Sequence, residues 1–584
     1  MCTTVIVGRL ASATGRVILG HNEDSGGRCM HQQFWVPGAS HGPDEFVEGE
    51  PGRARVPQAP VTLGTYWSNM LAPAPGSSFD QGLSNEAGVV MCSNSGGSSY
   101  DGELSDDEVG LVDGGIGFLL RRCVMERAHT AREAVEIAAS LIGKYGYWSP
   151  ARNYSFADAK EAWILNVVKG KHFVAHRVPD DKVVLISNYL SIRVVDFSDK
   201  ENVIASPDLI DYAVKKGRFS PAAGSYYHDF DFSAAYQPDS VRLERTKSVR
   251  MRTGWQYITG TVFDDPLHYP EMCAPKHPMS VEDVKSVLRL TAEETYRNRG
   301  DGRADAFHAS AEDISRTHTR ESWVADVAEN PLFTVLWRCS SNQDPNPYVP
   351  WFPIAGRIPK GYQWSTLEEA RRNHFQMPAA MLDFNEDHSW FVYSSLSEIV
   401  NFNRGLMAGI WPVRETLEAE FIGAVEKVRH EAAALPPEEA KHLLGDFTCR
   451  MCAKADAVYR DLLDSLTVDS PDAVLADSEA VEISISDEKA LVAITLTPAV
   501  ESASLDLDAS TVLWSLGFSG KKDSVLNPAS PISAAKNEDG SWTLSFRANE
   551  VARYAVAGCF MDTFIRGFIG HRRFASQVNF KFVA

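Results

Sequence analysis

The sequence predicts a layered α+β protein, and three observations carry that prediction. Short β-branched runs follow one another through polar turns, capped amphipathic segments border them, and beyond about Ser470 the pattern becomes a sustained period-two alternation. At 584 residues the chain exceeds the usual single core, so two units are expected: 1–470, and a β-rich unit over 471–584.

Taken in order, VIV and VIL flank the turn-like ASATGR, which predicts a hairpin starting at residue 2 and holding the amino end still. A Gly- and Pro-dense stretch over about 26–78 reads as loop, and NEAGVVMCSN as a turn feeding an apolar strand. In HTAREAVEIAASLI, Thr130 and Glu133 fit a capping box ahead of helically spaced Ala134, Val135, Ala138, Leu141 and Ile142. EAWILNVV, KHFVAHRV and KVVLISNYL then read as three consecutive strands. Ser280 and Asp283 start a second capped helix, and Leu417, Phe421, Val425 and Val428 mark one face of a longer one, which Pro436-Pro437 ends before its successor begins. VEISISD, ALVAITLTP, WTLSFRA and VNFKFVA supply the carboxy-terminal alternation.

Composition narrows the function. The net charge of −20 opposes phosphate backbones and anionic lipids, so no nucleic-acid or membrane partner is expected. No run approaches the roughly 18 apolar residues of a spanning helix. The opening TTVIV is closed by Gly8-Arg9 and is not a signal peptide, and nine cysteines form no disulfide framework, so a cytoplasmic setting is expected.

The second residue is the chemical clue. Cysteine is small enough that Met1 removal is expected, leaving a thiol and a free α-amine on one carbon. An α-amine titrates near about 8, so at neutral pH part of it is free base and can take the thiol proton. The second hairpin strand runs into GHNEDS, placing His21, Asn22, Glu23 and Asp24 at the level of residue 2. Four polar side chains there are hard to explain as packing, although a solvated turn would also contain them. Asp24 can orient the amine. Asn188 in LISNYLSI and Asn94 in VVMCSNSG stand at strand ends, as oxyanion donors or as ordinary turn formers. SVRLERTKSVR offers Arg242 and Arg245 as a positive charge.

Metal and other motifs are weaker. CRMC at Cys449–Cys452 is a lone pair inside a helix, and His268, Cys273 and His277 are scattered through loop, so neither a metal nor a cofactor is expected. The aromatics of YVPWFPI and GYQW wall a pocket or fill a core.

MCTT, HNEDS, GLSNEAGVV, FADAKEAWIL, LISNYLSI and LWRCSSNQDPNPYVPWFPI occur in an order that resembles the dipeptidase A family of cysteine dipeptidases. These are relatives of the secernins and belong to the N-terminal nucleophile hydrolases, alongside penicillin V acylase and bile salt hydrolase. The resemblance implies an αββα sandwich of two antiparallel sheets between helical layers, with helical additions. It implies a catalytic set of Cys2, Asp24, Asn188, Arg242 and Asn94, the last through its backbone N–H, with Arg245 in reserve. His21 and Asn22 are expected to bind substrate. The implied activity is dipeptide hydrolysis through a thioester on Cys2, in a protein able to form a homo-oligomer. A linear amide acylase and a catalytically silent secernin-like protein are the alternatives. His21 departs from the family pattern, which has arginine there; an ordinary imidazole is mostly neutral at pH 7, so a weaker local cation is expected.

Overall fold

A computed structural model describes residues 2–25, 30–47, 51–71, 79–222, 228–291, 313–373, 383, 385, 387–402, 406–466, 471–516, 528–570 and 572–584. Met1, whose removal the sequence implies, and the expected boundary near residue 470 lie outside them.

Two antiparallel sheets stack face to face. The strands are β1 (Thr3–Val7), β2 (Ile18–Asp24), β3 (Met30–Val36), β4 (Thr65–Leu71), β5 (Phe79–Asn85), β6 (Val90–Ser95), β7 (Tyr147–Ala157), β8 (Ala162–Gly170), β9 (Phe173–Val178), β10 (Val183–Ile186), β11 (Val203–Ala205), β12 (Met272–Cys273), β13 (Thr319–Asp326), β14 (Val335–Ser340) and β15 (Val349–Trp351). The seven-stranded sheet runs β12-β10-β1-β2-β13-β14-β15, and the eight-stranded sheet β11-β9-β8-β7-β6-β5-β4-β3. Helices α1 (Leu119–Met125) and α2 (Ala131–Tyr145) cover the outside of the larger sheet, and α3 (Arg245–Thr259) and α4 (Val281–Leu288) that of the smaller. This is the αββα sandwich. Long helices α5 (Ser389–Phe402), α6 (Met407–Ala433) and α7 (Pro437–Leu466) pack beside the smaller sheet.

Local chemistry sets these elements. Thr130 caps α2 by accepting from the Glu133 N–H, but the Glu133 carboxylate takes the His129 N–H, so that box is not reciprocal; Ser280 and Asp283 form both bonds of theirs. β2 is buried along its whole length. Gly20 lets α4 lie flat on it, because a Cβ there would meet a Val284 methyl at 2.5 Å. EAWILNVV and KHFVAHRV pair as β8 and β9, whereas the next strand, β10, changes sheet and pairs with β1. That crossing carries the chain after Ile186 to the amino terminus.

Tyr348, Trp351 and Phe352 are core residues, with Trp351 against the rings of Tyr66 and Tyr362, so this aromatic cluster is packing. Cys449 and Cys452 lie within α7. The described residues of 474–583 form two further four-stranded sheets around a cluster of Trp514, Leu544, Phe546, Phe574 and Phe580. Strands Leu507–Ser515 and Phe560–Ile569 join those legible from alternation. Among the described residues no helix is long and apolar enough to cross a membrane.

Candidate active site

The site is built by strand register. Thr4 pairs with His21 across β1 and β2, and with Ile186 across β1 and β10. Continued by two residues toward the amino end, those registers set Cys2 between Glu23 and Asn188. Alternation sends Cys2, Thr4, His21 and Glu23 into the space between the sheets, and Thr3, Asn22 and Asp24 toward the helices.

Cys2 is buried. Its backbone N–H donates to Asn188 Oδ1 at 2.9 Å, and Arg250 Nη2 donates to the same oxygen at 2.9 Å. Asn188 Nδ2 donates to the Ser95 carbonyl at 3.1 Å. Two donors on Oδ1 and an acceptor facing Nδ2 fix the orientation of this amide. Asn94 lies on the opposite sheet: its Oδ1 accepts from Thr4 Oγ1 at 2.7 Å, while its buried Nδ2 has no hydrogen-bond partner among the described residues.

The sulfur faces an ion pair. Cys2 Sγ, a ring nitrogen of His21 and a carboxylate oxygen of Glu23 lie within 4.8 Å of one another. Thr4 gives its hydroxyl hydrogen to Asn94, so it accepts from His21 Nδ1 at 2.8 Å; His21 Nε2 faces Glu23 Oε2 at 3.3 Å. Both ring nitrogens therefore meet acceptors, which fits the doubly protonated ring. Burial alone would lower the imidazole pKa, but the thiols of Cys92 and Cys2 and the Glu23 carboxylate outweigh it and hold His21 well above its ordinary 6.5. Burial would likewise raise Glu23, and the His21 contact lowers it instead. This runs against the expectation of an ordinary imidazole: the neighbours of His21 favour its protonated form, and both ring nitrogens have an acceptor to meet.

Asp24 is held on the helix side by Thr319 Oγ1 at 2.7 Å, with Arg316 Nη1 at 3.9 Å. Burial pushes its pKa up against the pull of Arg316 and Arg250.

Two expected residues stand elsewhere. Asn22 shares the strand with His21 but points the other way, donating to the Leu288 and Ile314 carbonyls and accepting from Ser322, so it ties β2 to the helical layer and faces no substrate. Arg242 pairs with Asp239 and lines a separate small cavity with Tyr189, Tyr269 and Glu271. The Arg245 side chain lies outside the described ones. The guanidinium at Cys2 is that of Arg250, donating to the Cys2 carbonyl at 2.7 Å and Thr3 Oγ1 at 3.1 Å. Burial, aided by Arg316, lowers it to about 10, which leaves it cationic at neutral pH. Gly254 allows this approach, since a Cβ there would meet a Leu185 methyl of β10 at 2.6 Å. The sequence signal was spacing: Arg250 closes SVRLERTKSVR and stands four residues before Gly254 and eight before buried Ile258, about one and two helical turns on.

A buried cysteine at the head of a central strand, between stacked antiparallel sheets and their helical layers, with fixed partners for its nitrogen and its sulfur, defines a cysteine hydrolase of the N-terminal nucleophile class. The chain belongs to peptidase family C69, whose model matches residues 1–390. A probable dipeptidase of Latilactobacillus sakei is 23% identical over 401 residues, covering 66% of this chain and 81% of that one. Probable dipeptidase B of Lactococcus lactis is 24% identical over 441 residues, covering 74% and 90%. Two variants of conjugated bile acid hydrolase from Clostridium perfringens align with 58% of this chain and 89% of theirs, at 10% and 11% identity and TM-scores of 0.26 and 0.23. Superpositions that loose add nothing to the architecture, which stands on the strand order and register above.

Proposed function

We propose that the protein hydrolyses dipeptides through a thioester on mature Cys2. The observation that carries this reading is the double engagement of Cys2, nitrogen on Asn188 and sulfur beside the His21–Glu23 pair. In the proposed cycle the α-amine accepts the thiol proton, and the thiolate, facing imidazolium, attacks the peptide carbonyl. The oxyanion takes hydrogen bonds from Asn94 Nδ2 and from the second hydrogen of Asn188 Nδ2, the first being on Ser95. Asn94 acts here through its side chain, not its backbone. The C–N bond breaks as the α-ammonium protonates the departing amine, leaving the acyl group on sulfur. Water, deprotonated by the same amine, cleaves the C–S bond and returns the proton to the thiol. Asp24 and Arg250 set the electrostatics around that amine, and a reducing cytoplasm suits its dependence on a free thiol.

The test is a panel of dipeptides beside penicillin V and a conjugated bile acid. Dipeptide turnover is expected; acylase activity with no dipeptide turnover would overturn the reading.

The state of His21 gives a further expected result. Its raised pKa means the protonated contacts stabilise the fold fully below about 6.5 and are lost as pH rises through the folded value. Activity should decline over the same alkaline range. His21→Arg should move that alkaline limb upward, and His21→Gln should lower kcat/KM by about 10–100-fold, the loss of one aligned electrostatic contact. Identical alkaline limbs in wild type and His21→Arg would contradict the assignment.

A further inference from the structure

Two carboxylates stand side by side at the site. Glu23 and Glu321 are register partners across β2 and β13, both face the space between the sheets, and they are 4% and 0% exposed. Their surroundings differ sharply. Glu321 has four partners: Arg338 Nε at 2.6 Å and Gln33 Nε2 at 3.3 Å on Oε1, Ser68 Oγ at 2.6 Å and His31 Nδ1 at 3.2 Å on Oε2. Burial opposes its charge, but Arg338 and His31 prevail and hold it at about 2. It is a structural anion with its acceptor capacity filled.

Glu23 has one side-chain partner, His21 on Oε2, and among the described residues nothing donates to Oε1. With Oε2 on His21, the other oxygen of this carboxylate is open to a cationic donor, and a charge-assisted hydrogen bond there is of the strong kind. That carboxylate is also within 4.8 Å of Cys2 Sγ. In a peptide with a free amino terminus, the α-nitrogen of the first residue is about 2.5 Å from the carbonyl carbon under attack, by ordinary backbone bond lengths. A carboxylate this close to the sulfur can reach that nitrogen when the first residue of the substrate lies toward β2.

We infer that Glu23 binds the free α-ammonium of the residue whose carbonyl Cys2 attacks, so that the site selects unblocked α-aminoacyl substrates over N-acylated or des-amino amides. This rests on the reading of Cys2 as the nucleophile of a dipeptidase and names what makes it one. His21 holds one oxygen of Glu23 and sets its orientation; the other oxygen meets the substrate. An acyl chain without the ammonium would set hydrocarbon against the unfilled second oxygen of Glu23, and sites built to hydrogen-bond such a group reject the analogue lacking it by about 10⁴-fold.

The test compares alanyl-alanine with propionyl-alanine, which differs by the amino group alone, in wild type and Glu23→Gln. Wild type should prefer the dipeptide by at least about 10³-fold in kcat/KM. Glu23→Gln should reduce that preference to less than about tenfold, mainly by losing dipeptide turnover. Any effect of the variant on the thiolate applies to both substrates and cancels in the ratio, so a merely structural role would leave it unchanged. Comparable wild-type turnover of the two, or an unchanged ratio in Glu23→Gln, overturns the inference while Cys2-dependent hydrolysis stands. If Glu23→Gln does not fold, Glu23→Asp, which draws the carboxylate back by one methylene, takes its place and should lower the same ratio; an unchanged ratio overturns the inference. No wild-type turnover of either substrate, with other dipeptides inert as well, overturns the underlying reading too.

Discussion

Cys2→Ala should reduce dipeptide hydrolysis by at least about 10⁴-fold, the scale on which removing a covalent nucleophile acts. The substitution deletes one buried atom and leaves the backbone N–H on Asn188 and the β1–β2 register in place, so the fold should persist. Circular dichroism and the thermal midpoint would verify that. Cys2→Ser should retain a small remnant, because a hydroxyl is far harder to ionise than a thiol, and the imidazolium of His21 that favours thiolate cannot make up the difference. A Cys2→Ala enzyme with full peptidase activity would exclude the mechanism.

Replacement of Arg250 is the second large effect expected. Its guanidinium supplies donors to the Cys2 carbonyl, Thr3 Oγ1 and Asn188 Oδ1, all buried. Arg250→Met should cost about 1–3 kcal/mol for each acceptor left without a donor. Activity should fall by at least about 100-fold, since Asn188 would lose one of the donors orienting its amide beside the reacting carbonyl. Arg242→Ala provides the contrast. Arg242 pairs with Asp239, a largely exposed carboxylate, and such pairs contribute no more than about 1 kcal/mol. Its activity should stay within about one order of magnitude of wild type. The reverse ranking in kcat/KM and urea unfolding would restore Arg242 as the site arginine.

These two arginines show what the sequence could and could not reveal. The run SVRLERTKSVR holds both, and composition alone favours neither. The helix begins at Arg245, so Arg242 falls in a preceding turn, while Arg250 shares a helical stripe with Gly254, which lies against Leu185, and with buried Ile258. Helix phase, not residue type, separates them. Asn22 is a similar case in a strand. Period two puts it opposite His21 and Glu23, so its grouping with His21 conflicted with an alternation already legible in ILGHNED.

Other parts depended on contacts no single segment contains. Asn188 and Asn94 were legible as strand-end amides, but their placement around residue 2 comes from β10 joining β1 and from the stacking of β6 over Thr4. The charge of His21 was inaccessible to sequence because it is set by Thr4, Cys92 and Glu23, brought together from three strands. Glu23 was visible in HNEDS but had no role until the saturation of its neighbour Glu321 exposed the contrast. The alternation after residue 470 was legible as strands, but the clustering of Trp514, Leu544, Phe546 and Phe580 depends on pairings between segments far apart in sequence.

The most direct test is mass spectrometry of the intact protein before and after rapid acid quenching with a slowly hydrolysed dipeptide. The account predicts a chain lacking its initiator methionine and, on quenching, a single aminoacyl adduct that hydroxylamine removes and peptide mapping assigns to Cys2. An active enzyme that retains methionine or carries an amino-terminal acetyl group, or an adduct mapping to any other residue, would contradict it.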